Sequence, residues 1–220
     1  MPRTETPWGP WEPAPLAEVV ELFTGLAAPW WVAGGYAIEL AVGSAYREHA
    51  DVDISVLRRD HETVRRLLAG WDCWAADPPG TLRPWPVDEP LPPGVHDVWV
   101  REGEGGPWRF QLMFDESDGD QWVYRRDPRI RRPLESCTIT AGGGFPRIAP
   151  EIQLLYKAKD PRPKDEIDFT QVLPRLAEAQ RRWLDEALAT EHGAHPWRER
   201  LRSAEAWGRG RSGGETFFIR

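Results

Sequence analysis

Residues 51–56 alternate strictly between polar and apolar side chains. Asp51, Asp53 and Ser55 occupy the odd positions, and Val or Ile occupies each even position between and after them. A period of two is typical of a β-strand with one apolar and one polar face. The pattern therefore predicts a strand that carries two carboxylates on the same face, with their α-carbons about 6 to 7 Å apart.

The segments around this strand predict an α+β protein: a mixed β-sheet flanked by helices, followed by a small helical C-terminal part. Apolar spacing and Gly or Pro boundaries indicate the individual elements. The principal predictions are a helix over 16–26, a buried strand over 30–33, a helix over 36–42, strands scattered between 72 and 132 that include 109–114, and helices over 150–159, 164–173 and 175–191.

These elements divide the chain of 220 residues into four parts. We expect an extended, Pro-rich arm over 1–15, a main domain over 16–149, a helical C-terminal subdomain over 150–191 and a mobile tail over 192–220. Repeated Gly among charged residues is the reason for expecting a mobile tail.

Composition excludes several classes of protein. The formal net charge of −7 makes the chain as a whole a poor partner for the nucleic acid backbone. No apolar run approaches the roughly 20 residues of a membrane helix, and the first residues lack the apolar stretch of a secretory signal. Cys73 and Cys137 fit a reducing compartment. We therefore expect a cytoplasmic protein without a membrane partner.

A glycine pair precedes the predicted helix at 36–42. Gly34 and Gly35 have no β-carbon, so the backbone there can approach a phosphate closely, and the helix that follows offers free N–H groups. Asp51 and Asp53 together suit Mg²⁺, which prefers oxygen ligands. Each feature alone also fits a tight turn or a solvated strand face, but their order and spacing are much more specific.

The segment Trp31–Leu40, followed by Gly43, Arg47-Glu48-His49 and Asp51-Val52-Asp53-Ile54, resembles the polymerase-beta-like nucleotidyltransferase superfamily. Within it, the chain is similar to the aminoglycoside and lincosamide nucleotidyltransferases. The resemblance implies a nucleotidyltransferase catalytic domain over 16–149, in which Gly34 and Gly35 hold the triphosphate while Asp51 and Asp53 bind Mg²⁺. It also implies transfer of a nucleoside monophosphate, with ATP the expected donor, to a hydroxyl of a small acceptor such as an aminoglycoside-like antibiotic.

The family usually has a third carboxylate on a later strand, and here that position falls on Gln111. A neutral amide offers an oxygen but no charge. Asp115, which shares the predicted face of Gln111, is the expected substitute for the third carboxylate, with Asp97 and Glu116 as weaker candidates. Asp115 is also the first candidate for the general base.

All three lysines of the chain, at 157, 159 and 164, fall within eight positions. Helical spacing places Lys159 on the apolar stripe of its predicted helix. We expect Lys159 and Lys164 to neutralise the leaving pyrophosphate, as in the C-terminal helices of the similar transferases, and Arg47 to orient a phosphate.

Two other interpretations stay open. The basic run Arg125–Arg132 would suit a toxin-like transferase with a protein or RNA acceptor, although its Asp and Pro residues also fit a solvated loop. The missing third carboxylate would suit a catalytically inactive nucleotide-binding protein. Four tryptophans could line an acceptor pocket or fill the core: Trp85, Trp99, Trp108 and Trp122. The sequence does not predict an oligomeric state.

Overall fold

The computed structural model describes residues 4–140 and 144–209, with side chains in the last helix up to Ser203. The chain forms two compact units, Met1–Ala149 and Pro150–Arg220. The break between them coincides with the change from strands to helices along the sequence.

Within the described residues, the first unit contains a mixed sheet in the order β4-β3-β5-β6-β2-β1-β10-β9, with β7 paired to β6 and β8 paired to β7. Two pairs are parallel, β2 with β6 and β1 with β10, and the others are antiparallel. The strands are β1 Trp30–Val32, β2 Asp53–Leu57, β3 Asp72–Ala75, β4 Arg83–Pro84, β5 Asp97–Arg101, β6 Phe110–Asp118, β7 Gln121–Val123, β8 Arg131–Pro133, β9 Thr138–Ile139 and β10 Arg147–Ile148.

Helices accompany this sheet and make up the second unit. The first unit has α1 Leu16–Thr24, α2 Gly34–Val42 and α3 His61–Leu67; the second has α4 Pro150–Lys157, α5 Pro163–Val172, α6 Glu178–His192 and α7 Pro196–Arg209. The predicted α+β class, with a mixed sheet, flanking helices and a helical C-terminal part, is confirmed. Among the helices described, none combines the length and apolar character needed to cross a membrane.

The core of the first unit lies on the apolar face of β2. Ile54 and Val56 are fully buried, as the alternation predicts, and they belong to the same cluster as Phe23 of α1 and Phe110 of β6. The rings of Phe23 and Phe110 pack edge to face at 5.8 Å. This packing fixes which way β2 faces, and so leaves Asp53 on the opposite side of the sheet.

Residues 4–14, here called the N-terminal arm, are hydrogen-bonded to the first unit. Trp108 N donates to Pro10 O at 2.8 Å, Glu12 N donates to Trp108 O at 3.0 Å, and Ala14 N donates to Arg109 O at 2.9 Å. Trp11 and Ala14 are buried. The predicted Pro-rich arm thus runs along the start of β6, and its backbone extends the hydrogen bonding there.

The expectation of a mobile tail from residue 192 is wrong for its first half, which forms α7. Trp197 of this helix is fully buried, stacks on Phe169 of α5 at 4.3 Å and donates from Nε1 to Glu166 Oε1 at 2.7 Å. A buried indole outweighs the local Gly and charge content that suggested a tail. Residues 210–220 lie outside the described part of the chain.

A buried ion pair stabilises the second unit. Lys157 Nζ, at the end of α4, donates to Asp165 Oδ1 at 2.7 Å and lies 3.0 Å from Asp168 Oδ2, and all three side chains are buried. Burial opposes ionisation of Asp165, but hydrogen bonds from Arg162 and Lys157 outweigh it and hold the pKa of this carboxyl well below its ordinary value. Lys157 is therefore a structural residue.

Lys159 does not lie on the apolar stripe, contrary to the prediction. The helix ends at Lys157, and Lys159 is exposed in the turn that follows. Helical spacing stops applying once the helix ends, so the face assigned to Lys159 was wrong.

Replacing Lys157 by Met should lower the free energy of unfolding by about 3–5 kcal/mol at neutral pH, because two buried carboxylates lose their ammonium partner. Lys159→Met, at an exposed position, should change it by less than about 0.5 kcal/mol. Urea unfolding measures both.

The loss of stability in Lys157→Met should depend on pH. Because the folded-state pKa of Asp165 is depressed, its stabilising contribution is complete above the ordinary pKa of about 4 and is lost as the pH falls through the folded value. The deficit of Lys157→Met should therefore be smaller near pH ~3 than at neutral pH. An equal deficit at both would contradict the ion pair.

Candidate active site

Asp51 and Asp53 lie at the entrance to β2 and share one face of the sheet. Val52 between them is fully buried, and its carbonyl oxygen accepts a hydrogen bond from Gln111 N at 2.8 Å, so the chain is already extended there. Both aspartates are half-buried. The two carboxylates are thus presented on the side of the sheet opposite the apolar core.

Gly34 allows the Asp53 carboxylate to reach the start of α2. It is the first residue of that helix and has a φ of +63°, a left-handed conformation that favours glycine. A β-carbon at this position would overlap the carboxylate of Asp53. The strands are held in place by the hydrogen bond from Ala33 N to Asp53 O at 2.9 Å. A carboxylate and a helix N-terminus therefore adjoin.

Arg47 and His49 lie against the second glycine. A β-carbon on Gly35 would overlap the Arg47 guanidinium and the His49 ring. This arrangement brings a cation to the first turn of α2, where helix N–H groups and the positive end of the helix dipole favour an anion. The guanidinium of Arg47 thus lies at the start of α2, and its role in orienting a phosphate stays a prediction.

The residues that sequence reasoning missed are the partners of His49. Its Nε2 lies 2.9 Å from Glu39 Oε2, and its ring stacks on Tyr36 with 4.1 Å between centroids. Burial, with the nearby carboxylates of Glu39 and Asp51, raises the pKa of Tyr36. Glu39 follows Tyr36 by three residues on α2, so helical spacing alone could have placed both on one face.

The register of β2 and β6 decides between the candidates for a third carboxylate. Gln111 pairs directly with Asp53, whereas Asp115 pairs with Leu57, about 13 Å further along the strand. Asp115 is also buried. The prediction that Asp115 substitutes for the third carboxylate and serves as general base is therefore corrected: the parallel pairing moves it away from Asp53.

Asp97 is the carboxylate that the structure connects to this position. Gln111 Nε2 donates to Asp97 Oδ1 at 3.1 Å, across the antiparallel pair of β5 and β6. Glu116 instead binds Arg58 at 2.6 Å. No group of three or more His, Cys, Asp or Glu side chains suited to a metal occurs in the described residues.

The donor set at the site fits Mg²⁺ bound by few protein ligands. Mg²⁺ is commonly held by one or two carboxylates, with substrate phosphates and waters completing an octahedral shell. Asp51 and Asp53 supply two carboxylates beside a helix N-terminus that suits phosphate. The absence of a third carboxylate at Gln111 is consistent with a site that depends on the nucleotide for its remaining ligands.

The four tryptophans separate into two groups. Trp85, Trp108 and Trp122 are almost fully buried and belong to the core. Trp99 instead lines a cavity of about 170 Å³ that also adjoins Asp51.

Several arginines of the basic run Arg125–Arg132 contact polar side chains nearby in the sequence. Arg129 binds Asp127 through Nη2 at 2.6 Å, Arg131 lies 3.3 Å from Asp118, and Arg132 donates to Ser136 at 2.9 Å. These contacts support the solvated, turn-rich interpretation of Arg125–Arg132.

Comparisons with known proteins agree with this geometry. Residues 15–76, which contain α1, the glycine pair and both aspartates, match the family model of aminoglycoside-2''-adenylyltransferase. The solved structure of the lincosamide antibiotic adenylyltransferase LnuA with lincomycin bound is 17% identical, with a TM-score of 0.50, over 71% of this chain and 93% of that one. The antibiotic-resistance factor ANT(2'')-Ia is 13% identical, with a TM-score of 0.50, over 90% of this chain and 94% of that one.

The chain has the fold of the aminoglycoside and lincosamide nucleotidyltransferases. The predicted resemblance to the aminoglycoside and lincosamide enzymes is confirmed. No curated protein sequence matches the chain significantly. The match to the family model is confined to residues 15–76, the part of the first unit that holds the glycine pair and the aspartates.

Gly34→Ala should weaken the binding of ATP more than about tenfold, because the new methyl group displaces the Asp53 carboxylate from the helix start. Gly43→Ala is the matched control: Gly43 ends the same helix with a φ of +85°, and a β-carbon there meets nothing. Both variants should carry a backbone strain of about 1–2 kcal/mol. Calorimetric titration with ATP and Mg²⁺ measures the affinity of each variant. Equal affinities for the two variants would contradict the role of Gly34.

Proposed function

We propose that the protein transfers a nucleoside monophosphate from a nucleoside triphosphate, ATP first among them, to a hydroxyl of a small antibiotic-like acceptor, with Mg²⁺ as cofactor. The observation that carries this proposal is the packing of the Asp53 carboxylate against Gly34, beside Arg47 and the start of α2. It joins the features of a triphosphate site to a pair of metal-binding acids. The antibiotic acceptor is proposed from the family match and from the similar enzymes.

In the proposed reaction, an acceptor hydroxyl attacks the α-phosphorus of the nucleotide. The new bond joins the hydroxyl oxygen to phosphorus, the bond to the bridging oxygen breaks, and pyrophosphate leaves. Asp51 and Asp53 would hold Mg²⁺, which supplies charge stabilisation to the phosphates when bound. Gly34, Gly35 and Arg47 would bind and orient the phosphate chain, so the catalytic contribution of the protein is chiefly positioning and electrostatic.

Asp97 is the proposed acceptor of the hydroxyl proton. It is connected to the position opposite Asp53 through Gln111, whose amide nitrogen orients the Asp97 carboxylate. Gln111 itself is neutral and does not take a proton. Lys159 and Lys164 of the second unit stay predictions as ligands of the leaving pyrophosphate, and the cytoplasmic location stays a prediction as well.

The proposed activity predicts Mg²⁺-dependent release of pyrophosphate that also requires an acceptor. ATP, GTP, CTP and UTP should each be tested with an aminoglycoside, tobramycin, and with a lincosamide, lincomycin. Asp53→Asn should lower the rate by about 10²–10³-fold or more, since one metal-binding charge is lost at the reacting phosphate. Asp118→Asn, at the exposed end of β6, should leave it unchanged.

The other outcomes identify the rival interpretations. Nucleotide binding without release would support the inactive binding protein, and release only with a protein or RNA acceptor would support the toxin-like transferase. If the wild-type protein binds no nucleotide, the proposal is wrong.

Two variants, Asp97→Asn and Asp115→Asn, test which residue is the general base. Asp97→Asn keeps an oxygen for the Gln111 hydrogen bond but cannot accept a proton, so kcat should fall by about 10²–10⁴-fold with little change in the KM for ATP. Asp115→Asn should leave kcat near the wild-type value, because the β2–β6 register holds this residue away from Asp53. Steady-state kinetics of the two variants decide the question, and the opposite ranking would restore Asp115.

A further inference from the structure

The N-terminal arm borders a half-open cavity against the sheet at the active site. This cavity has a volume of about 170 Å³ and is lined by Thr4, Trp11, Ala50, Asp51, Trp99 and Gln111. Asp51 is one of the two proposed metal-binding acids, and Gln111 stands opposite the other. A ring in this cavity would therefore lie next to the carboxylates at which the reacting oxygens are expected.

The arm is held in a fixed conformation around the cavity. Thr4 and Trp11 exchange backbone hydrogen bonds of 3.0 and 2.7 Å, which close the arm into a loop. Thr6 Oγ1 donates to Gly9 O at 2.6 Å inside that loop, and Trp108 Nε1 donates to Trp8 O at 2.9 Å. Trp11 itself is 6% exposed. The arm therefore presents Trp11 as a fixed wall.

The two indoles of the cavity form a corner. Trp11 and Trp99 pack at 5.0 Å between centroids with their planes 70° apart. A flat nucleobase stacks best in a slot between parallel faces, whereas a corner suits a puckered ring whose C–H groups contact one indole and whose polar groups point away from it. The shape thus favours a saccharide-like ring over a base.

The charge of the lining indicates the same ligand. Among the described residues that line the cavity there is one carboxylate, one amide and one hydroxyl, and neither Lys nor Arg. An ammonium group is attracted by the face of an indole, and this attraction does not depend on Asp51, which is assigned to Mg²⁺. The described lining offers no cation to a phosphate, whereas Gly35 adjoins the Arg47 guanidinium, so the triphosphate is assigned there.

The cavity is large enough for one ring of an acceptor but not for a whole drug-sized molecule. Sites that take a whole drug-sized molecule usually measure about 300–1,000 Å³. A cavity of about 170 Å³ holds a single ring. The remainder of a larger acceptor would extend beyond it.

We propose that the N-terminal arm, through Trp11, forms with Trp99 an acceptor subsite that binds one amine-bearing, hydroxylated ring beside Asp51. This inference rests on the proposed transferase function and adds the residues that select the acceptor. Trp11 acts as a specificity-determining residue, since it contacts the acceptor ring and none of the groups assigned to the nucleotide.

The test compares acceptor binding with nucleotide binding in three variants of the full chain. Trp11→Ala removes the wall, and Thr4→Phe fills the cavity from the exposed side of the arm without removing any buried group. Trp8→Ala is the matched control, because this indole is 38% exposed on the same arm and the hydrogen bonds of Trp8 in the arm are made by its backbone. The probe is tobramycin, titrated calorimetrically without nucleotide or Mg²⁺.

Trp11→Ala and Thr4→Phe should each weaken tobramycin binding, and raise its KM in the transfer reaction, by about tenfold or more, as expected for loss of a buried aromatic contact. The affinity for ATP with Mg²⁺ should stay within about twofold of the wild type, because phosphate binding is electrostatic and lies elsewhere. Trp8→Ala should match the wild type in both measurements. Melting temperatures show which variants are folded, and Thr4→Phe decides the result if Trp11→Ala is not.

Failure of this inference differs from failure of the proposed function. If the wild type transfers nucleotide to tobramycin while the folded cavity variants bind tobramycin normally, the subsite is wrong and the transferase stands. If the variants bind ATP more weakly but bind tobramycin normally, the cavity is part of the nucleotide site and the inference is again overturned. If the wild type neither binds nor modifies tobramycin, the acceptor class and the subsite fall together.

Discussion

The close approach of the Asp53 carboxylate to Gly34 is the contact on which the site depends. It requires a residue without a β-carbon at the first position of α2, and that residue adopts a left-handed backbone. The contact joins the start of one strand to the start of a helix, so a carboxylate and free helix N–H groups face the same space. Chemistry at a triphosphate needs both, the acid for a metal and the N–H groups for phosphate.

The core explains why this contact is stable. Ile54 and Val56 are buried against α1 and β6 on one face of the sheet, which commits Asp51 and Asp53 to the other face. On that face, His49 fills the space beside Gly35, stacked on Tyr36 and bound to Glu39. The acids therefore gain their position from apolar packing on the opposite side of the strand, and the helix start gains its support from a small buried polar cluster.

The second unit is stabilised in a different way. Its buried charges, Lys157 with Asp165 and Asp168, are fully paired, which lowers the pKa of Asp165 despite its burial. Three lysines clustered in an otherwise arginine-rich chain look alike in the sequence, yet one is buried in an ion pair and another is exposed. Residue type alone did not distinguish a structural lysine from one available to a ligand.

The sequence by itself determined the local features: the alternation that makes β2, the glycine pair before α2, the two acids on one face and the helical character after Pro150. Each depends on residues a few positions apart, and short-range sterics and periodicity fix such features. Tertiary structure decided which distant residues meet. Parallel pairing of β2 with β6 places Gln111, and not Asp115, opposite Asp53. Packing of the arm brings Trp11 to Trp99. Registers and long-range contacts of this kind are selected by the total burial of the folded chain, and no local pattern encodes them.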